Sequence, residues 1–524
     1  LVKDNIYIKN FAKIPYFFTE TIGMGAGREG PCYRPLQMLT YMFDYSVWKL
    51  NVFGYHLTNI LLHIFAALAI FWFINILYGS QFLAFLTSIL FIVHPVHTEA
   101  VAYISGRADS LATIFILMSL IYYIKQGSQK KTTTFILMVL SSLAAMLSKE
   151  YSLIIPILLL IYSYIFLKKI LAREFISIVI VDFIYIVVRC MVVKSVPLNI
   201  AHTSTLFQRV PGFFVAITEY LRLMLLPLNL HMEYGNRLVS FSNFESILGI
   251  VILLALSVYA FKKRHSDNLI SFSIFWFFIV LLPVSNLYPI NAYIAEHWLY
   301  LPSLGFFLIF AHGLIMLYKI KKARLITIFL IIFILTTYSY LTVKQNSYWR
   351  EPVAFYKKTI YYSPHSPRLY RNLGKAYLEH GNYQEAIKTF QKAIDIDSKN
   401  AGLYNILGTT YSATGDIENA IIFYQKAISI NPRYADAYYH LGNAYNSMGD
   451  TEKAISSYKK AIEIAPNNVH VVSYYNNLAY IYALNGKIDE AMALYERALE
   501  IDPNSLTLKN NIKALYNIMH GNKK

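Results

Sequence analysis

Two textures follow one another along the chain. Between about residues 56 and 343, apolar stretches recur, separated by short polar turns. Each approaches the roughly twenty residues that a helix needs to cross a bilayer. The predicted spans are 56–78, 82–104, 109–124, 134–148, 151–167, 174–193, 245–261, 268–287, 300–318 and 323–343. The segment 205–240 is apolar too, but it carries Glu219, Arg222 and Pro227 and reads as re-entrant or interfacial.

Near residue 345 the long apolar runs stop and a period appears. Leu373-Gly374, Leu407-Gly408 and Leu441-Gly442 stand 34 residues apart, as do Ala386, Ala420 and Ala454, and Tyr377, Tyr411 and Tyr445. Pro432 and Pro466 close successive units. A fourth copy, Leu478-Ala479 with Tyr482, Ala491 and Pro503, follows after a three-residue insertion. This is the tetratricopeptide (TPR) pattern: paired helices, small residues where they cross, and proline at the end. Such units stack into a solenoid whose concave groove binds peptides or proteins. Asn372, Asn405, Asn443 and Asn477 lie on or near the first helices. They are candidate contacts to a peptide backbone, with solvated helix-face residues as the alternative. The expected organisation is a first extracytoplasmic loop (1–55), a multi-span domain (56–344) and an extracytoplasmic repeat domain (345–520).

Composition sharpens this reading. Of 524 residues, 56% are hydrophobic and 15% charged. Soluble domains carry roughly 25% charge, so a chain this apolar could not cover its own core in water. The two cysteines, Cys32 and Cys190, provide no disulfide framework. The net charge of +17 would suggest nucleic acid if it were spread over one soluble face. Instead, the basic residues cluster between spans: Lys125, Lys130 and Lys131; Lys168, Lys169 and Arg173; Lys262, Lys263 and Arg264; Lys319, Lys321, Lys322 and Arg324. The positive-inside rule places these on the cytoplasmic side, and nucleic acid is not an expected partner. Alternating the spans puts segments near 1–50, 94–108, 148–151 and 285–300, and the repeats, on the opposite side.

Polar groups beside a membrane are costly, so each marks a candidate function. The first outer segment holds Asp4, Arg34, His56, Asn59 and His63; the second, HPVHTEAVAYISGRADSL, holds His94, His97, Glu99, Arg107 and Asp109. Lys149 and Glu150 form the third, and AEHWLYLPS brings Glu296, His297 and Tyr300. HPVHTE is not a zinc motif: proline interrupts the helical face and no third ligand stands at a familiar spacing. Singly, each residue reads as a satisfied helix-end group. Four segments carrying them to one face argue for a shared site.

At these residues the sequence resembles a family. YRPLQMLTYMFDYSVWKLNVFGYHLTNILLH, HPVHTEAVAYISGRADSLA, SKEYSLIIP and AEHWLYLPSLGF, in this order and followed by repeats, are similar to the TMTC family. These are transmembrane, TPR-containing O-mannosyltransferases of the GT-C type. The resemblance implies an all-α chain: a polytopic GT-C-type helix bundle followed by a TPR α-solenoid. It implies transfer of a sugar, mannose in the family, from a polyprenyl-phosphate carrier to a Ser or Thr hydroxyl outside the cytoplasm. Asp4 matches one acid of the family's paired-acid motif and takes the general-base role. Arg34, Arg107 and Lys149 are the candidate contacts to the donor phosphate. His94, His97, Glu99, Asp109, Glu296 and His297 are expected to shape the pocket. The lipid-linked sugar is the donor substrate, no cofactor is firmly implied, and no metal ligand is assigned. The expected partners are that donor, the bilayer, and a protein or peptide acceptor held by the repeats.

Two features depart from the family. Lys3 and Asn5 flank Asp4 where the family has adjacent acids, and the span that precedes the motif in the family is not seen before Leu1. The first departure supports an alternative, a non-catalytic membrane-anchored TPR scaffold. A transporter fits less well, because the charges gather at helix ends rather than at mid-membrane. The absence of an N-x-[ST] sequence favours a bacterial inner membrane with periplasmic repeats over an ER membrane with lumenal ones.

Overall fold

A computed structural model describes residues 2–3, 5–26, 30, 32–193, 205–235, 239–287, 292–466, 470–503 and 505–521. Asp4 lies outside the described residues. Among those described, every regular element is helical. The chain divides into two compact units, Leu1–Glu351 and Pro352–Lys524.

The first unit opens with a short helix, α1 (Ile14–Thr19), and with α2 (Pro35–Trp48), which enclose a small core of Ile8, Phe17, Met38, Tyr41, Met42 and Tyr55. The bundle proper begins with α3 (Val52–Tyr78), whose Asn51 side chain accepts the Phe53 N–H as its N-cap. Then α4 (Gln81–Val93) stops at His94, because Pro95 has no N–H to continue the ladder. A 3-10 turn (Pro95–His97) leads into α5 (Thr98–Ala102), bent by 56° from α4. The single straight helix expected over 82–104 is therefore a bent pair of helices. A hairpin follows, α6 (Arg107–Gln129) and α7 (Thr132–Ser148), whose faces meet through a 2.7 Å hydrogen bond between Ser119 and Ser142. The remaining helices are α8 (Ile155–Ile165), α9 (Ala172–Val192), α10 (Leu206–Leu225), α11 (Phe244–Lys263), α12 (Asn268–Leu281), α13 (Ser303–Lys319) and α14 (Arg324–Arg350).

Among the described residues five helices, α3, α6, α9, α11 and α14, are long and apolar enough to cross a membrane, and the bent α4–α5 pair makes a sixth if it counts as one crossing. Four of the expected stretches fall on shorter apolar helices, α7, α8, α12 and α13. Burial separates the inner from the outer members. In α6, 72% of the apolar window is buried, against 11% in α9 and 11% in α14. Phe183, Leu325, Phe329 and Phe333 stand exposed on the outer helices, a surface that hydrocarbon accepts and water would not. The segment expected to be re-entrant contains α10, an amphipathic helix that buries Ala216, Ile217, Tyr220 and Leu223 and carries an Arg222–Glu219 ion pair.

The second unit begins with α15 (Pro352–Tyr362). Four helix pairs follow: α16 (Pro367–Glu379) with α17 (Tyr383–Ile396), α18 (Ala401–Ala413) with α19 (Ile417–Ile430), α20 (Ala435–Ser447) with α21 (Thr451–Ile464), and α22 (Val471–Leu484) with α23 (Ile488–Ile501). A last helix, α24 (Leu506–Gly521), completes it. The periodic small residues sit at the crossings, and Ala386, Ala420, Ala454 and Ala491 are fully buried. At Gly408 an added Cβ would meet the Tyr424 ring at 2.7 Å, so the aromatic of the second helix occupies the space a side chain would need.

Candidate functional site

The polar residues of the first unit's separate segments converge on one end of the bundle. Local sequence explains how each is presented. Arg34 sits just before α2, where Pro35 takes the first helical position at no hydrogen-bond cost. Arg107 opens α6 directly after Gly106, where a Cβ would collide with the Ala100 carbonyl; only glycine lets the two segments approach this closely. Lys149 and Glu150 fall where α7 ends and a 3-10 turn leads to α8. Glu296 and His297 open a 3-10 turn (Glu296–Leu299) ahead of α13.

Three ion pairs organise this end. Arg34 binds Glu150 through two nitrogens, with Nε and Nη2 at 3.0 and 2.8 Å from Oε2. Burial alone would raise the Glu150 carboxyl, but the charge and hydrogen bonds of Arg34 outweigh it and hold it below the usual carboxylate range. Lys149 Nζ lies 2.5 Å from Asp109 Oδ1, with both groups buried. Lys149 is also within electrostatic reach of Glu99, and Asp109 of Arg34, so the pairs form one field. The third pair differs. Arg107 is 0% exposed and 2.6 Å from Asp44. It donates further to Asn59, Thr40 and the Tyr55 carbonyl, and its guanidinium lies 4.6 Å from the Tyr41 ring centroid. It is enclosed by its own protein, whereas Arg34 keeps 19% of its side chain open.

The remaining predicted pocket residues lie in the same region. Glu99 accepts from the His297 backbone N–H at 3.0 Å, and its other carboxylate oxygen lies 2.9 Å from His297 Nδ1. Glu296 accepts from the His231 N–H and the Tyr234 hydroxyl at 2.5 and 2.7 Å. His97 packs on Phe91 and Tyr300, with its Nε2 3.4 Å from Ser303, while His94 Nε2 meets the Met224 carbonyl. His63 bonds the Tyr300 hydroxyl at 2.7 Å, and Ser110 donates to the same oxygen. Among the described residues no three His, Cys, Asp or Glu side chains gather as a metal site.

Sequence reading missed Asp44, His231, Tyr234 and Arg189. Asp44 had a usable signal: a lone carboxylate on an otherwise apolar stretch requires a buried cation. Arg189, in the last turn of α9, comes within electrostatic reach of Cys32 and Tyr185, beside Arg34 and Glu150. Nothing in its own apolar span pointed there.

In the repeats, the candidate asparagines are partly used by one another. Asn477 donates to Asn443 Oδ1 at 2.9 Å and to the Tyr439 hydroxyl at 3.2 Å, while Tyr458 donates to the same Asn443 oxygen. Asn511 extends this ladder through Asn476 to Asn477. Asn405 is 8% exposed and Asn372 is half-buried.

Fold and site together define a multi-pass membrane protein with a polar cluster at one end of its bundle and a TPR solenoid. Tetratricopeptide-repeat models match residues 367–400 and 433–504, and a TPR-repeat model matches 408–449. A protein O-mannosyl-transferase of Caenorhabditis elegans is 30% identical over 373 residues, covering 67% of this chain and 51% of that protein. Tmtc3 of Drosophila melanogaster is 26% identical, covering 67% of this chain and 47% of its own; human TMTC1 is 27% identical, covering 69% and 48%. Both are named protein O-mannosyl-transferases. Among solved structures, MamA is 35% identical over 29% of this chain and 86% of its own, with a TM-score of 0.27. The chain is a homologue of the TMTC family, and it spans about half the length of the curated relatives it matches.

Proposed function

We propose that this protein is a GT-C-type glycosyltransferase that moves a sugar from a polyprenyl-phosphate carrier to a Ser or Thr hydroxyl of an extracytoplasmic protein. The sugar is mannose, by analogy with the names of its relatives. The observation that carries this reading is the convergence of Arg34, Lys149, Asp109 and Glu150 at one end of an apolar bundle. Charge gathered at the edge of an apolar bundle is costly, and a site that receives a charged substrate gives it a use.

In the proposed reaction the acceptor oxygen attacks the anomeric carbon, and the bond from that carbon to the phosphate oxygen breaks. Asp4 takes the hydroxyl proton as general base. The polyprenyl phosphate leaves as an anion, which Arg34 and Lys149 stabilise; the planar fork of Arg34 suits two phosphate oxygens. Arg107 is a positioning residue, since its contacts fix α2 and α3 against α6. Glu99, Glu296, His94, His97 and His297 shape the pocket wall. The TPR unit binds the acceptor, with the half-buried Asn372 as a contact, the buried Asn405 beneath it, and Asn443 and Asn477 stiffening the groove. The polar end faces the periplasm of a bacterial inner membrane.

The test uses membranes carrying the protein, radiolabelled polyprenyl-phosphate mannose and endogenous protein acceptors. Transfer that falls by about 10²–10⁴-fold in Asp4→Ala supports the base assignment. The flanking Lys3 and Asn5 favour a second reading, a membrane-anchored TPR scaffold without turnover. Absence of transfer in both forms, with other sugar donors tried, decides for the scaffold.

A further inference from the structure

The end of the bundle opposite the polar cluster holds a cavity of about 600 Å³ between α3, α6, α8 and the loop that joins α8 to α9. Lys125, Lys168 and Lys169 line it together with Ile124, Tyr162 and Phe166. Its distance from the candidate active site follows from α6, which carries Arg107 at one end and Lys125 near the other. At 1.5 Å per residue, Arg107 and Lys125 stand about 27 Å apart along this helix, close to the roughly 30 Å thickness of a hydrocarbon core. No carboxylate lines the cavity among the described residues, and none of the three lysines is in an ion pair. Glu174 is close in sequence, but it is buried and accepts from Gln126. Lys125 is held 4.3 Å from the Trp72 ring centroid, and the loop bearing the other two lysines is pinned where the Leu171 N–H meets the Tyr123 hydroxyl. Gly127 leaves the wall open: a Cβ there would meet only Leu171, at 3.9 Å.

We propose that this cavity is a binding site for the headgroup of an anionic phospholipid. Three uncompensated ammonium groups over aromatic and aliphatic walls, at the end of membrane-length helices, suit a phosphodiester that arrives with its glycerol and acyl chains. A freely dissolved phosphate offers the same charge but has no use for the apolar walls. Juxtamembrane lysines contribute about 1 kcal/mol each toward anionic lipid.

The test places the whole chain in nanodiscs of equal parts phosphatidylglycerol and phosphatidylcholine and counts retained lipids by native mass spectrometry. Phosphatidylglycerol should be retained over phosphatidylcholine by about tenfold or more. The preference should vanish in the triple variant Lys125→Gln, Lys168→Gln, Lys169→Gln, and also in Gly127→Leu, which fills the cavity without changing charge. Unchanged unfolding temperatures in phosphatidylcholine alone establish that both variants fold. Equal retention of the two lipids, or a preference that survives Gly127→Leu, overturns the proposal. So does inorganic phosphate that raises the unfolding temperature as much as phosphatidylglycerol does.

Discussion

The two units of this chain treat charge in opposite ways. In the membrane unit, all the pairs at the polar end but the local Arg222–Glu219 join residues far apart in sequence: Arg34 and Glu150 are separated by 116 positions, Glu99 and His297 by 198. They are largely buried. In the TPR unit, Glu385–Lys388, Asp450–Lys453, Lys460–Glu463 and Arg497–Glu500 are all three residues apart and lie on exposed helix faces. A buried pair needs a tertiary partner, because losing it strands a charge in low dielectric. An exposed neighbour pair is screened by water and contributes little. Charge therefore reports a site in the first unit and solubility in the second. The solenoid depends instead on small residues under aromatic rings, repeated with the period of the chain.

The largest effect should come from breaking a buried pair. Arg107→Ala leaves Asp44 without its cation and should cost about 3–5 kcal/mol, read as a lower unfolding temperature in detergent. Should it leave stability unchanged while abolishing transfer, Arg107 would be a catalytic residue rather than a positioning one. Arg34→Lys keeps the charge but loses the fork, and should slow transfer about ten- to a hundredfold with little change in unfolding temperature. In the solenoid, Gly408→Val forces a branched side chain against Tyr424 and should cost about 1–3 kcal/mol. The test is hydrogen exchange across Ala401–Ile430 in the full chain, where faster exchange confined to these helices is the expected outcome.

A smaller effect is expected at His440, which stacks on Tyr424 in the solenoid. Burial lowers its pKa, so the unfolded chain binds the extra proton more readily. Stability contributed by neutral His440 is thus present above about pH 6.5 and lost as pH falls below it. Exchange in Ala435–Ser447 should quicken over that range and lose its pH dependence in His440→Gln. The smallest effect belongs to Lys388→Ala, which should leave the unfolding temperature unchanged; a clear drop would break the contrast between the units.

The repeats were legible because each landmark recurs in a fixed local register, and a helix pair meets its neighbour through contacts that the period already encodes. The apolar stretches were legible for a related reason: a bilayer asks only for length and hydrophobicity. Where those simple readings failed, a local residue or a distant partner intervened. His94-Pro95 bent one expected helix into a pair, since proline cannot extend the ladder whatever the hydropathy on either side. The amphipathic helix Leu206–Leu225 lies inside a segment whose hydropathy alone was ambiguous.

The polar residues were also visible one by one, in four separate segments. What sequence could not supply was pairing. Arg34, Arg107 and Lys149 look alike as cations beside a membrane, yet one keeps a fifth of its side chain open beside Glu150, one is enclosed with Asp44, and one is buried against Asp109. Sequence by itself determined two units, their helical character and the inventory of charged groups, because these follow from short-range periodicity and solvent preference. Only the tertiary structure decided which charge faces which, because a buried ion pair is fixed by packing among helices that the chain brings together from far apart.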